Sequence, residues 1–194
     1  VAKVTMIGKV TKEILFKGLK FPDWRAIKLL AKLRNRKDDT IMLAIVEELA
    51  KDGLEVVDQT LYLKPLMPAC GVLSRRKPTA DEEDDIRFGF VTAKAMGGMD
   101  IGQTVVVKNK AVMAVEAIEG TDACIRRGGA LGREKSVVVK VAKPNQDPRF
   151  DVPAVGKQTI LSMIESKCNV LAMEAGRTLF VEQDEVLDLA NRHN

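Results

Sequence analysis

The sequence has few of the residues on which many kinds of functional site depend. Its one histidine, His193, lies one residue from the C-terminus, where a frayed tail cannot hold a catalytic triad or a histidine-ligated metal in a fixed geometry. Three widely spaced cysteines (Cys70, Cys124 and Cys168) argue against a disulfide framework or a zinc site and are typical of a cytosolic protein. Aromatic residues make up 4% of the chain, too few for a nucleic-acid surface that stacks bases.

Long hydrophobic runs are also missing, since no apolar stretch reaches the roughly 18 residues that a membrane-spanning helix requires. What is present is a chain of 194 residues, 46% hydrophobic and 30% charged, with a net charge of +4. This composition is typical of a globular protein with an aliphatic core, and the length predicts one domain or two small ones. The chain begins with Val1 and no signal-like segment follows, so we expect a fragment or a processed product rather than a secretory precursor.

Residues 1–62 have the pattern of a strand, two helices and a second strand. The first helix is predicted to begin at the N-cap Asp23, and the second to end at Gly53, the usual position of a left-handed C-cap. Such a unit is part of an α/β layer, so we expect an incomplete first domain, a partial Rossmann-like layer. Two prolines then predict a linker at residues 63–77.

Residues 78–194 are predicted to form a second α/β domain, with a mixed sheet and flanking helices. Thr79 and Glu82 have the spacing of a capping box at the start of a helix. Asn109-Lys110 has the length of a hairpin turn between two strands. Further strands and helices follow, and Asp184 is predicted to cap the last helix. The fold class is therefore α/β, with two small domains.

Three sequence features have a simple structural interpretation beside a functional one. The first 37 residues hold 11 Lys and Arg and two acids, a local charge of +9, which could attract an anionic membrane surface or nucleic acid, or form a solvated basic face. The acidic run 81–85 could suggest a metal site, but carboxylates in the first turns of a helix oppose its dipole, and we interpret them as structural. The glycines at 128–132 lack the spacing of a dinucleotide-binding loop, and we discount that function.

A stronger candidate for function is segment 116–122, which runs from a strand through a turn at Gly120 into a helix. Helix N-termini offer free N–H groups to phosphate. The carboxylates of this segment would repel a phosphate unless a cation such as Mg²⁺ lies between them. The alternative is that Asp122 only caps the helix and that the glutamates are solvated.

A second candidate is segment 140–156, which joins a strand to a helix, the place where α/β folds bind ligands. Three prolines stiffen the segment, and it carries two lysines, an arginine, a glutamine and two aspartates. Fixed backbone and mixed charge favour a preorganised site for phosphate and metal. The alternative is a salt-bridged surface loop.

Three motifs, in this order and with this spacing, resemble one family: Asp100-Ile-Gly-Gln103, residues 114–122 and residues 143–156. This is the UDP-2,3-diacylglucosamine pyrophosphatase family of lipid A biosynthesis, the type unrelated to calcineurin-like phosphoesterases. The resemblance covers essentially the whole chain, because the Gly8-Lys9-Val10 turn and the Asp38-Asp39 helix start look like the later half of that family's N-terminal domain. The family's glycine-rich N-terminal unit has no counterpart here.

The resemblance implies Mg²⁺-dependent hydrolysis of the diphosphate bond of UDP-2,3-diacylglucosamine, which gives UMP and 2,3-diacylglucosamine 1-phosphate. It implies catalytic roles for Asp151, Arg149 and Lys143, with Asp151 either a metal ligand or the base that orients the attacking water. The substrate-binding residues that it implies are Gln103, Gly120, Thr121, Arg126, Gln146 and Lys140. The metal ligands that it implies are Asp151, Asp122 and Glu119.

The resemblance also implies a cytoplasmic enzyme that contacts the inner-membrane surface transiently, with residues 78–194 as the catalytic domain. The few aromatic residues and the mild net charge argue against a nucleic-acid partner. A homodimer, or pairing with the missing N-terminal segment, would cover the sheet edge that an incomplete first domain leaves exposed. The alternative function is a non-catalytic module that binds a nucleotide sugar or an anionic lipid, and the basic first 37 residues favour it.

Overall fold

The computed structural model describes residues 1–7, 24–31, 33 and 38–193, without the side chains of residues 38 and 39. The predicted N-cap Asp23, the turn at Gly8-Lys9-Val10 and much of the basic first 37 residues lie outside the described residues. The chain divides into two units. One comprises Val1–Tyr62 and Asp147–Asp151, and the other Leu63–Gln146 and Val152–Asn194.

The first unit contains the predicted strand, two helices and strand. Strand β1 (Ala2–Val4) pairs in parallel with β2 (Leu54–Val56), and the helices α1 (Trp24–Ala31) and α2 (Asp38–Lys51) lie between them along the chain. Gly53 has a φ of 73°, a left-handed conformation that glycine adopts without a steric penalty. The predicted C-cap at this residue is therefore confirmed.

The second unit is built on a mixed four-stranded sheet, as expected for the α/β class. The strand order is β4-β3-β5-β7, in which β3 is antiparallel to both β4 and β5, and β5 is parallel to β7. Two short strands, β6 and β8, form a separate parallel pair. The strands are β3 (Thr104–Lys108), β4 (Ala111–Val115), β5 (Ser136–Lys140), β6 (Ala154–Val155), β7 (Cys168–Met173) and β8 (Leu179–Phe180).

The α-helices in the described part of the second unit are α3 (Ala80–Gly98), α4 (Thr121–Gly132), α5 (Lys157–Glu165) and α6 (Gln183–His193), and a 3-10 helix covers Lys64–Leu66. The predicted capping box is confirmed, because the Thr79 hydroxyl accepts from the N–H of Glu82 and the Glu82 carboxylate accepts from the N–H of Thr79. Among the described residues, no helix is both long enough and apolar enough to cross a lipid bilayer.

The core of the second unit lies on both faces of the sheet. Side chains alternate between the two faces along a strand, so Val105 and Val107 pack on the side of α3, in one cluster with Ala93. Val106 faces the other side, in a cluster with Ile125 of α4. Both faces of the central strands are therefore covered, which accounts for the run of consecutive valines.

The acidic run at the start of α3 has a structural role. Asp85 is 5% exposed, and its two carboxylate oxygens accept from the N–H of Asn109 (2.9 Å) and the N–H of Lys110 (2.6 Å). These two residues have φ angles of 51° and 58°, the geometry of a type I′ hairpin turn. The predicted hairpin is confirmed, and Asp85 binds its turn.

The predicted cap at Asp184 is wrong, and so is the alternative in which Asp122 caps α4. Helix α4 begins at Thr121 with Gly120 as its N-cap, so Asp122 lies in the first turn. The N-cap residue, Gly120, has a φ of 83°, a conformation that glycine adopts more easily than aspartate does. Helix α6 begins at Gln183, so Asp184 also lies in the first turn, where its charge still opposes the helix dipole.

Candidate functional site

Polar side chains gather in the second unit where β5 ends and α4 begins. In open α/β sheets, ligands bind beyond the carboxyl ends of parallel strands, and β5 and β7 are the parallel pair here. The first N–H groups of α4 have no partner within the helix, and together with the helix dipole they favour an anion. These features together favour a phosphate site at this end of the sheet.

Lys140, the last residue of β5, is linked to Glu116 through the hydroxyl of Thr121. The Nζ of Lys140 lies 3.1 Å from the Oγ1 of Thr121 and 2.8 Å from the carbonyl oxygen of Ala154. The hydroxyl of Thr121 donates to the Oε1 of Glu116 at 2.9 Å, and because a hydroxyl has one proton, it accepts from the lysine. The predicted substrate-binding residues Lys140 and Thr121 thus come together beside Gly120.

Both charged groups of this chain of hydrogen bonds are buried. Lys140 is 6% exposed and Glu116 is 8% exposed, and the second carboxylate oxygen of Glu116 lies 3.4 Å from the N–H of Gln103. The alternative in which the glutamates of segment 116–122 are solvated is therefore wrong for Glu116. Buried charges are retained in proteins when they are paired and hydrogen-bonded, and Thr121 provides that link.

A second polar cluster contains three more of the predicted residues. The Nζ of Lys143 forms an ion pair with Asp100 at 2.9 Å. The side-chain oxygen of Gln146 accepts from the N–H of Lys143 at 2.8 Å, and its Nε2 lies 3.3 Å from the Oε1 of Gln103. Gln103 is anchored in turn, because its carbonyl oxygen accepts from the N–H of Val141 at 3.0 Å. Lys143, Gln146 and Gln103 therefore form one group.

Sequence reasoning missed an ion pair that supports this region. The Nζ of Lys94 lies 2.7 and 2.9 Å from the two carboxylate oxygens of Glu174 and donates to the carbonyl oxygen of Ala142 at 2.8 Å. Glu174 also accepts from the N–H of Ala142 at 2.8 Å. The two side chains hold the backbone next to Lys143 from both sides. They are 80 positions apart, so no local spacing could have indicated the pair.

Two predicted residues on or near α4 are engaged elsewhere. Arg126 donates to the hydroxyl of Ser162 on α5 at 3.2 Å. Glu119 forms an ion pair with Arg127 and accepts from the N–H of Ala117 at 3.1 Å. The hydrogen bond from Arg127 lowers the pKa of Glu119, so its carboxylate is ionised at neutral pH.

The predicted catalytic residues Arg149 and Asp151 lie in the first unit. Arg149 binds Asp147 through two parallel contacts, Nε to Oδ1 at 2.9 Å and Nη2 to Oδ2 at 2.6 Å, and this bond lowers the pKa of Asp147. The N–H of Asp151 donates to the carbonyl oxygen of Asp147 at 3.0 Å, and the carbonyl oxygen of Pro148 accepts from the N–H of Gln59. The alternative of a salt-bridged loop, given above for segment 140–156, therefore holds for Asp147 and Arg149. A role for Arg149 in binding phosphate stays a prediction.

Comparison with known proteins places this sequence in a family. The sequence matches the LpxI N-terminal domain over residues 1–66 and the LpxI C-terminal domain over residues 69–194. The chain belongs to the LpxI family. A relative from Caulobacter vibrioides, named UDP-2,3-diacylglucosamine pyrophosphatase LpxI, is 32% identical over 181 residues, which cover 88% of this chain and 65% of the relative. The family resemblance carried by the three sequence motifs is confirmed.

In this member of the LpxI family, small residues set the position of α4. A Cβ atom on Gly128 would lie 2.5 Å from the Cβ of Val106 on β3, and one on Gly132 would lie 2.2 Å from the hydroxyl oxygen of Ser136. Only glycine permits so close an approach of helix and sheet. The glycines at 128–132 thus serve the close packing of α4.

A magnesium site was expected from three carboxylates, Asp151, Asp122 and Glu119. Across the described part of the chain, no group of three or more His, Cys, Asp or Glu side chains is placed to hold a metal ion. Mg²⁺ needs no such cage, because it is commonly bound by one or two carboxylates together with substrate phosphates and water. Asp122 in the first turn of α4 offers the hard oxygen ligand that this ion prefers, and the three residues stay predicted ligands.

Proposed function

We propose that this chain hydrolyses the diphosphate bond of UDP-2,3-diacylglucosamine to UMP and 2,3-diacylglucosamine 1-phosphate, a step of lipid A biosynthesis. The proposal is carried by the match to both LpxI domains, and the name of the Caulobacter relative supplies the substrate. The chain spans 65% of that relative's length, so activity, substrate and partners are proposals for this chain. The cytoplasmic location, transient membrane contact and homodimer expected from the sequence stay predictions.

The site of the second unit supports this chemistry by its charge. Hydrolysis of a diphosphate shifts negative charge onto phosphate oxygens, and fixed cations and N–H groups aimed at those oxygens lower the barrier. Lys140 lies beside the N-terminus of α4, hydrogen-bonded to Thr121, so one phosphate would bind at this point. Lys143, held by Asp100, would supply a second cation within the same unit.

Asp151 is proposed to act on the attacking water. In the role of a base, its carboxylate would accept a proton as the water oxygen attacks phosphorus and the bridging oxygen–phosphorus bond breaks. In the role of a metal ligand, its carboxylate would supply a hard oxygen to Mg²⁺. The ion, when bound, neutralises phosphate charge.

The experiment is release of UMP from UDP-2,3-diacylglucosamine, measured with Mg²⁺ and with EDTA, on this chain and on the longest natural form of the protein. We expect turnover with Mg²⁺ and its loss in EDTA. Asp151→Asn should lower kcat about 10²–10⁴-fold, the usual contribution of a positioned base. The matched control is Asp188→Asn, at an exposed position of α6, and it should keep the full rate.

This experiment tests the metal, the role of Asp151 and the hydrolytic reaction separately. Turnover that persists in EDTA would remove the metal from the proposal. An undiminished rate for Asp151→Asn would remove Asp151 from the mechanism. Absence of UMP from both forms of the protein would refute the hydrolytic function, and binding of the substrate without turnover would then favour the non-catalytic module.

A further inference from the structure

Three polar side chains form a row across the end of the sheet, on the face that α4 covers. Thr104 of β3 pairs with Lys140 of β5, and the N–H of Glu116, just after β4, donates to the carbonyl oxygen of Thr104 at 2.8 Å. Side chains two positions apart along a strand share a face. Two positions further in along the three strands, the residues clustered with Ile125 of α4 are Ala114, Val106 and Val138. The row therefore lies between this core and the end of the sheet.

The backbone of Glu116 is fixed by residues 102–104. Besides its bond to Thr104, it lies so close to Gly102 that a Cβ atom there would come within 2.1 Å of the Glu116 carbonyl oxygen. Only glycine permits so close an approach of two backbone segments. The Oε2 of Glu116 lies 3.4 Å from the N–H of Gln103, and the residue is buried. Its Oε1 is therefore an acceptor held at a fixed place in the second unit.

The chemistry of the groups sets the direction of each hydrogen bond in the link from Glu116 to Lys140. An ammonium only donates, a carboxylate accepts, and a hydroxyl has one proton to donate. The Thr121 hydroxyl therefore donates its proton to the Oε1 of Glu116 at 2.9 Å and accepts from the Nζ of Lys140 at 3.1 Å. Without an acceptor at position 116, nothing in this link would keep the hydroxyl proton directed away from the ammonium. Glu116 therefore decides which way the Thr121 hydroxyl faces.

The orientation of the Lys140 ammonium follows from that of the hydroxyl. An ammonium has three N–H groups, and the hydroxyl of Thr121 and the carbonyl oxygen of Ala154 accept two of them. Because the three N–H groups have a fixed tetrahedral arrangement, two fixed bonds define the direction of the third. A cation stabilises developing charge on phosphate best when it is already oriented and need not reorganise during the reaction.

We propose that Glu116 is a positioning residue of the proposed hydrolysis: through the hydroxyl of Thr121, it holds the ammonium of Lys140 in the orientation that meets the phosphate. The inference rests on the proposed function and deepens it, since it assigns a role to a residue outside the expected catalytic, substrate-binding and metal-ligand sets. It also changes the task of Thr121, because a hydroxyl whose proton is bound to Glu116 does not donate that proton to phosphate.

The first test measures UMP release by Glu116→Met, which removes the acceptor and keeps a side chain of similar length. We expect kcat to fall about 10–10²-fold, the scale of a misplaced group at a reacting centre, with little change in KM. Glu116→Gln keeps an oxygen that accepts from Thr121 and should restore most of the rate. The matched control is Asp85→Asn, because Asp85 is also a buried carboxylate that accepts two backbone N–H groups. This variant should lose stability and keep the wild-type kcat.

Variants at position 121 test whether Glu116 acts through the hydroxyl. Thr121→Val removes the hydroxyl and should lower kcat as Glu116→Met does, whereas Thr121→Ser should restore the rate. Residues that act as a unit have non-additive effects on kcat. The double variant should therefore lose no more activity than the more affected single variant. Losses that multiply in the double variant would refute this link.

The orientation of Lys140 can also be measured without turnover, from its side-chain ammonium signal in NMR spectra of protein labelled with ¹⁵N-lysine. Lys140→Arg assigns the signal by removing it. Glu116→Met should shift this signal, and Asp85→Asn should leave it in place. If Glu116→Met does not fold, Thr121→Val breaks the same link and should shift the signal as well.

The outcomes separate the positioning role from the reaction itself. A folded Glu116→Met variant with the wild-type kcat, or with an unshifted Lys140 signal, would overturn the positioning role and leave the proposed function intact. A wild type that releases no UMP would refute the proposed function, and the Lys140 signal would still show whether Glu116 orients the ammonium.

Discussion

Replacing Gly128 with alanine tests how closely α4 lies against the sheet. The added Cβ would lie 2.5, 2.6 and 2.8 Å from the Cβ and the two Cγ atoms of Val106. Val106 is fully buried, and a β-branched side chain has little rotamer freedom with which to move away. Overpacking of this kind costs about 1–3 kcal/mol. With three contacts below 3.0 Å we expect the upper end of that range.

A helical glycine replaced by alanine also gains about 1 kcal/mol of helix propensity, which offsets part of the cost. The net expectation for Gly128→Ala is a loss of about 2 kcal/mol in the free energy of unfolding. The matched control is Gly98→Ala at the end of α3, where the nearest atom, the Cγ of Pro144, would lie 3.9 Å from the new Cβ. That variant should be neutral or slightly stabilised.

The assay is urea unfolding of the wild type and both variants. A lower midpoint with an unchanged slope would show that stability changed and that the denatured state did not. If Gly128→Ala proves as stable as Gly98→Ala, the helix does not lie this close to β3.

Two further predictions concern buried polar groups. Lys94→Met should destabilise the protein by about 2 kcal/mol, less than the 3–5 kcal/mol typical of breaking a fully buried pair, since the Lys94 and Glu174 side chains are 24% and 15% exposed. Adding Glu174→Gln should restore part of the loss in a double-mutant cycle, and no recovery would contradict the ion pair. Burial raises the pKa of Cys124 to about 12 and that of Cys168 to about 11, so in the folded protein only the exposed Cys70 should react rapidly with a thiol reagent. Because the unfolded thiols ionise near pH 9 and the folded ones do not, the unfolded state binds fewer protons there. The free energy of unfolding should therefore fall as pH rises from 9 to 11. A midpoint of urea unfolding that does not change over this pH range would be evidence against burial of the two thiols.

The sequence alone predicted the structural features that depend on residues close together in the chain. The capping box of Thr79 and Glu82, the hairpin turn at Asn109-Lys110 and the helix end at Gly53 all depend on spacings of a few residues. Each acts through the conformation of its own turn, so the residue types alone predict it. The succession of strands and helices in both units followed from the same kind of signal.

Contacts between distant parts of the chain could not be predicted in this way. Asp85 binds a turn 24 residues ahead, and Lys94 meets a glutamate 80 residues away. The choice between a solvated and a functional Glu116 stayed open, because nothing near it in the sequence shows that Thr121 will bind it and link it to Lys140. The short strands β6 and β8 are hard to predict, since strands of two residues are too short to show a period.

The mixed direction of the strands has a consequence for ligand binding. Thr104, which opens β3, lies opposite Lys140, which ends β5, so the start of one strand and the end of another meet at the candidate site. Groups from positions 94 to 174 therefore converge only when the whole sheet is paired. A phosphate that binds there should stabilise the second unit against global unfolding, because the free energy of binding is lost when any of these strands separates.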